Sequence, residues 1–90
     1  MIGRQVFFEG RVQGVGFRYT VRQLAKGFDV VGWVRNLVDG RVELQVSGEA
    51  DEVTEFLRAV RESELAGFIK NDQEYPVAPQ MAEGGFQIRM

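Results

Sequence analysis

The sequence predicts an α+β sandwich of the ferredoxin-like type, with two helices covering one face of a mixed, mainly antiparallel sheet. Apolar strand patterns alternate with two amphipathic helix patterns, and their order reads β-α-β-β-α-β, the split βαβ arrangement. The chain has 90 residues, of which 44% are apolar, and this is enough for one small core. No repeat or linker interrupts it, so we expect a single domain over residues 1–90.

The first half of the chain contains two strand patterns and one helix pattern. Residues 4–10 predict a strand, whose buried face stays open because Val6, Phe7 and Phe8 are all apolar. Asp29 is expected to end the following helix in the left-handed conformation. Residues 30–37 predict a second strand, followed by a turn at residues 38–40. The helix itself is predicted by apolar residues at helical spacing: Phe17, Val21, Leu24, Ala25 and Phe28.

The second half continues with a strand and a helix and then becomes harder to assign. Residues 41–47 alternate between apolar and polar side chains, which predicts a third strand that ends at Gly48. Residues 67–75 and 86–90 predict strands joined by a loop around Pro76 and Pro79, with the register left open. Residues 49–62 predict a second helix with one apolar stripe: Val53, Phe56, Leu57 and Val60.

The amino-acid composition limits the catalytic groups and the partners that the chain can have. The chain has no cysteine, so neither disulfides nor thiol catalysis can contribute, and it has no histidine to act as a base or nucleophile. The net charge is −2, with the basic residues concentrated in the first half, which favours a small anion over a long nucleic acid. No secretory leader or membrane-length apolar run is present. We therefore expect a cytoplasmic protein without nucleic-acid or membrane partners.

Residues 10–18 read GRVQGVGFR and connect the first strand to the first helix. Glycines allow positive φ and close approach of the backbone to a ligand. Free amides at a helix N-terminus attract anions, and the Arg18 guanidinium can donate hydrogen bonds to two phosphate oxygens. This predicts a phosphate cradle, and the alternative is a glycine-rich turn with an exposed arginine. The glycine spacing fits neither a dinucleotide fingerprint nor a Walker loop. Val12 stands where phosphatases with a covalent cysteine carry their nucleophile.

Two further observations concern how such a site could work. The aspartates at positions 29, 39, 51 and 72 lack metal-ligand spacing, so we predict no metal site. A hydrolytic reaction would then use direct attack by water on a substrate with a good leaving group. Asn36 lies at a strand end before the turn. It either bonds nearby backbone or holds a water in line with a bound phosphorus.

The sequence resembles the acylphosphatase family. The first family motif is carried by residues 10–18, and the second runs from Gly32-Trp33-Val34-Arg35-Asn36 through Gly40 and Val42 to Gly48. The pair at this separation is highly specific. Residues 63–68 depart from the family by lacking a Gly-Pro, residues 70–81 match poorly, and Asp29 replaces a common glycine.

The resemblance implies a monomeric, metal-free hydrolase without cofactors that cleaves acyl phosphates to a carboxylate and inorganic phosphate. Arg18 would bind the phosphoryl group, Asn36 would orient the attacking water, and the substrate phosphate itself would accept the proton of that water. The backbone amides implied in phosphate binding are those of Gln13, Gly14, Val15, Gly16, Phe17 and Arg18.

Two rival interpretations remain at the level of sequence. The ferredoxin-like sheet also occurs in RNA-binding domains that stack bases on exposed aromatics, and Phe7, Phe8 and Trp33 are the candidates here. The acidic balance and the missing RNP-type motif disfavour that interpretation. The second rival is an accessory domain of the kind found in hydrogenase-maturation carbamoyltransferases.

Overall fold

The computed structural model describes residues 1–80 and 85–90, in which five strands form one sheet covered by two helices. The strand order across the sheet is β4-β1-β3-β2-β5. The strands are β1 (Ile2–Gly10), β2 (Val30–Asn36), β3 (Val42–Gly48), β4 (Ile69–Val77) and β5 (Phe86–Arg89); the helices are α1 (Phe17–Ala25), α2 (Ala50–Arg61) and a 3-10 helix at Glu64–Phe68.

The strand pairing confirms the predicted ferredoxin-like fold class and adds one strand to it. β3 is antiparallel to both β1 and β2, and β1 is antiparallel to β4, while β5 runs parallel to β2. The formula β-α-β-β-α-β counts one strand after α2, whereas both predicted C-terminal strands form, at opposite edges of the sheet. Pro76 belongs to β4 rather than to the following loop. β4 is an edge strand, where a proline without an N–H is tolerated.

The core lies between the helices and one face of the sheet. On β1 the buried face is that of Val6 and Phe8, both without solvent exposure, which settles the orientation that the sequence left open. The ring of Phe8 packs on that of Phe17 with centroids 5.1 Å apart. The Phe56 ring of α2 lies 5.8 Å from that of Phe28 and 5.5 Å from that of Phe86. Aromatic contacts thus join both helices to the sheet.

The predicted end of α1 at Asp29 is wrong. The helix ends at Ala25, Lys26 follows in a right-handed conformation, and no described residue other than glycine has a positive φ. The backbone N–H of Asp29 donates to the Glu52 carboxylate of α2, at 2.7 Å. The last carbonyls of α1 are instead satisfied by turn hydrogen bonds from the N–H groups of Lys26, Gly27 and Phe28, without a left-handed residue.

An arginine on α2 ties that helix to the edge strand β4. The Arg61 guanidinium donates to Asp72 and Glu74 at 2.9 Å each. Burial alone would lower the pKa of Arg61, but these hydrogen bonds and charges outweigh it and raise the pKa. Arg61 therefore stays charged, and its two acceptors fix α2 over this edge of the sheet.

The other face of the sheet is closed by its own side chains. Trp33 is only 7% exposed and lies beneath the guanidinium groups of Arg35 and Arg89, at 5.2 and 4.7 Å from the ring centroid. Phe8 is buried in the core, and the Arg41 guanidinium lies 4.7 Å from the Phe7 ring. The three aromatics named for RNA stacking therefore offer no open platform, so the structure does not favour the RNA-binding interpretation.

In the described part of the chain, neither helix has the length and apolar character that a membrane crossing requires.

The packing of the core predicts how a substitution at Phe56 changes the free energy of unfolding. Phe56→Ala removes a fully buried ring and leaves a cavity between α2 and the sheet, and we expect the free energy of unfolding to fall by about 3–5 kcal/mol. Val38→Ala is the control, because Val38 is fully exposed, and it should change that free energy by less than about 0.5 kcal/mol. Urea unfolding measures both variants. Equal stability of the two would contradict this description of the core.

Candidate active site

The connection between β1 and α1 contains two glycines in the left-handed conformation. Gly14 has φ 78° and Gly16 has φ 77°, and a Cβ atom at either position would meet nothing within 4 Å. The backbone conformation, rather than crowding, therefore requires glycine at both positions. Gly16 is the N-cap of α1 and provides no side-chain hydrogen bond to the helix. The first N–H groups of α1 are thus left without a side-chain cap.

The charges around the two helix N-termini differ. The first turn of α2 contains Asp51 and Glu52, which complement the positive end of its dipole. The first turn of α1 contains no acid and holds Arg18 instead. A positive side chain at the positive end of a helix dipole is unfavourable unless an anion lies nearby. The start of α1 is therefore a strongly electropositive position.

The sheet register brings Asn36 to the same end of the fold. Val42, the first residue of β3, pairs with Phe8 of β1 on one side and with Asn36 of β2 on the other. The end of β2 therefore lies two strands from the end of β1, a distance of roughly 10 Å at the usual strand spacing. The loop after β1 bridges that distance and forms a cleft with Asn36.

Arg18 and Asn36 line a common cleft of about 180 Å³. Both side chains are half-buried, and neither makes a hydrogen bond or ion pair with another described residue. The interpretation of Asn36 as a residue that bonds nearby backbone is therefore not supported. Two polar side chains that have no partner in the described part of the chain therefore line the same space. The residues that line it are Val12, Gly14, Gly16, Phe17, Arg18, Tyr19, Asn36 and Ile88.

Only some of the residues whose amides were predicted to bind phosphate line the cleft. Gly14, Gly16, Phe17 and Arg18 line the cleft, whereas Gln13 and Val15 belong to the same loop but are not among the lining residues. The Gln13 side chain turns to the β2–β3 hairpin and donates to the carbonyls of Leu37 and Arg41.

Sequence reasoning did not assign Val12, Tyr19 or Ile88 to the site. Tyr19 directly follows Arg18, but adjacent helix residues do not share a face, so no spacing signal pointed to it; only the position of β5 beside β2 brings Ile88 to the cleft. Ile88 also borders a more open hollow of about 380 Å³, together with Arg22, Phe86 and Gln87. The cleft therefore continues along α1 and β5, past an apolar wall.

Among residues 1–80 and 85–90, no group of three or more acidic side chains lies in an arrangement that could hold a metal ion.

Comparisons with known proteins identify relatives of this chain. The family model described as Acylphosphatase matches residues 4–88. An acylphosphatase of Trichormus variabilis is 41% identical over 91 residues, an alignment that covers 99% of this chain and 87% of that protein. The crystal structure of acylphosphatase from Bacillus subtilis superimposes with a TM-score of 0.84 at 33% identity and covers 100% of both chains.

A likeness to a much larger protein is also found. The crystal structure of T. kodakarensis HypF superimposes with a TM-score of 0.84 at 25% identity, over 100% of this chain and only 12% of that chain. The family model matches nearly the whole chain, and the alignment with the Trichormus variabilis relative is nearly complete. The chain belongs to the acylphosphatase family of hydrolases.

Proposed function

We propose that this chain hydrolyses the carboxyl–phosphate bond of small acyl phosphates by direct attack of a water molecule, without a metal ion or a covalent intermediate. Arg18 and the amides at the start of α1 bind the phosphoryl group, and Asn36 orients the water. The observation that supports this assignment most directly is that Arg18 and Asn36, whose side chains have no partner among the described residues, line one cleft beside a helix N-terminus without a side-chain cap.

The proposed reaction balances without an acid or base from the protein. The oxygen of the water forms a bond to phosphorus while the bond from phosphorus to the bridging oxygen breaks, and the electron pair leaves on the carboxylate. A non-bridging phosphate oxygen accepts the proton from the water. Carboxylates are good leaving groups at neutral pH and need no proton from the protein. The protein therefore contributes positioning and charge stabilisation.

The cleft has room for the phosphoryl group, and its continuation has room for the acyl group. Arg18 and the helix N-terminus provide positive charge and N–H donors for phosphate oxygens. Ile88 forms an apolar wall between this cleft and the adjoining hollow. An acyl group placed against Ile88 would leave its carbonyl–phosphate bond at the mouth of the cleft.

The role of Arg18 gives a first prediction. Arg18→Gln removes the charge that binds the phosphoryl group, and we expect kcat/KM with acetyl phosphate to fall on the order of 10²–10³-fold. Arg58→Gln is the matched control, because Arg58 is an exposed arginine on α2 that lines neither the cleft nor the adjoining hollow. Its activity should stay close to that of the unchanged protein. Equal losses in the two variants would contradict a specific role for Arg18.

The role of Asn36 gives a second prediction. Asn36→Ala removes the amide that holds the water, so kcat should fall on the order of 10²-fold while the inhibition constant for inorganic phosphate changes little. The control is Asn71→Ala, which alters an exposed asparagine on the edge strand β4 that does not line the cleft. A large loss of phosphate affinity with normal kcat would show that Asn36 binds phosphate rather than water.

A third prediction concerns ligands and metals. Inorganic phosphate should inhibit competitively, because it occupies the position of the phosphoryl group. EDTA should leave turnover unchanged, since Arg18 and backbone amides are assigned the role of stabilising the phosphoryl charge. Steady-state kinetics with and without each compound measures both effects. Loss of activity with EDTA that Mg²⁺ restores would overturn the metal-free mechanism.

The likeness to HypF leaves an accessory role as the second candidate. A chain in that role would bind phosphate in the same cleft but would not turn over acetyl phosphate. Calorimetric titration with inorganic phosphate and a turnover assay on the same preparation separate the two functions.

A further inference from the structure

The two halves of the site lie on parts of the fold that are not neighbours in the sheet. The loop and Arg18 follow β1, whereas Asn36 ends β2, and β3 lies between these strands. Strand pairing therefore fixes the ends of β1 and β2 but leaves the loop itself, residues 11–16, to be positioned by other contacts. A reaction that needs water and phosphorus in line depends on that position.

The side chain of Gln13 supplies such a contact. Its amide nitrogen donates to the Leu37 carbonyl at 2.8 Å and to the Arg41 carbonyl at 3.0 Å. A glutamine amide has two N–H donors, and both are used here. Leu37 directly follows Asn36 in the chain, so one of the two acceptors lies on the residue next to the proposed water-binding side chain.

The two acceptors belong to a turn that is already held by its own hydrogen bonds. The Leu37 N–H donates to the Arg41 carbonyl at 2.8 Å, and the Gly40 N–H donates to the Leu37 carbonyl at 3.1 Å. Asp39 accepts from the Arg41 backbone N–H at 3.0 Å, and this bond lowers the pKa of the Asp39 carboxyl. The carbonyls would therefore be paired without Gln13. Its bonds add a connection between the loop and a turn that is formed independently.

Other contacts hold the ends of the loop but not its approach to the hairpin. The Arg11 N–H donates to the Phe68 carbonyl at 3.0 Å, and Val12 and Phe17 are buried in the core. Across residues 1–80 and 85–90, the two bonds from Gln13 are the only hydrogen bonds between residues 11–16 and residues 36–42. Gln13 is thus the polar connection between the two halves of the site.

We propose that Gln13 is a positioning residue, whose side-chain amide clamps the phosphate loop to the β2–β3 turn and so sets the distance between the bound phosphoryl group and Asn36. This inference rests on the proposed function of the cleft. Gln13 acts through the loop and Asn36 and does not itself touch the substrate. Without the clamp, the loop keeps its glycine conformations and its charge but loses its alignment with the water.

The first test is a double-mutant cycle with acetyl phosphate. Gln13→Met keeps the length of the side chain and removes both donors, and we expect kcat to fall roughly 10- to 10²-fold. In the Asn36→Ala background the same substitution should change kcat little, because no oriented water is left to misalign. Gln73→Met is the control, since Gln73 is an exposed glutamine on β4. An equal loss from Gln13→Met in both backgrounds would overturn the proposal.

A second measurement does not depend on turnover. NMR order parameters of the Gly14, Val15 and Gly16 amides should fall in Gln13→Met but not in Gln73→Met, while the melting temperature stays nearly constant. Unchanged order parameters would contradict the clamp even if the chain proved to be an accessory domain. Absence of turnover in the unchanged protein, together with a mobile loop in Gln13→Met, would instead refute the proposed function and retain the clamp.

Discussion

The site depends on the left-handed backbone at Gly14 and Gly16, which turns the chain from the end of β1 into the start of α1. This turn leaves the first N–H groups of the helix without a side-chain cap and places Arg18 beside them. Both features are unfavourable in the absence of an anion. The loop tolerates them because the packing of Val12 and Phe17 in the core fixes its path. The packing of these two side chains thus stabilises an electropositive surface that the local interactions of the loop alone would not favour.

The strand order explains why the second side of the cleft, at Asn36, lies apart from this electropositive surface. Because β3 lies between β1 and β2, the ends of the two outer strands meet at one edge of the fold but remain two strands apart. The loop after β1 crosses this gap, and the Gln13 side chain connects the loop to the β2–β3 turn. The same antiparallel pairing that builds the sheet therefore sets the dimensions of the cleft, and β5 closes its far side through Ile88.

Local patterns in the sequence identified most of the fold and predicted Arg18 and Asn36, which both line the cleft. Helical and alternating periodicity placed α2, the first three strands and the start of α1 within one or two residues, and the two motifs singled out Arg18 and Asn36. The errors concern contacts between distant segments. Asp29 resembles a helix terminator locally, but a carboxylate on α2 takes its N–H. Nothing in residues 86–90 indicates parallel pairing with β2, so the contribution of Ile88 was not foreseeable. The bonds of Gln13 likewise depend on tertiary structure rather than on spacing.

Val12 bears on why water rather than a side chain would attack the phosphorus. It occupies the loop position of the nucleophile in cysteine-dependent phosphatases, and here it is fully buried while it borders the cleft. A valine side chain has no nucleophilic atom, so its packing in the core anchors the loop but supplies no group that could attack phosphorus. Asn36 lines the same cleft, is half-exposed and carries no charge, and in the proposed mechanism its amide holds the attacking water. The packing that supports the loop thus favours a reaction in which the attacking group comes from the solvent.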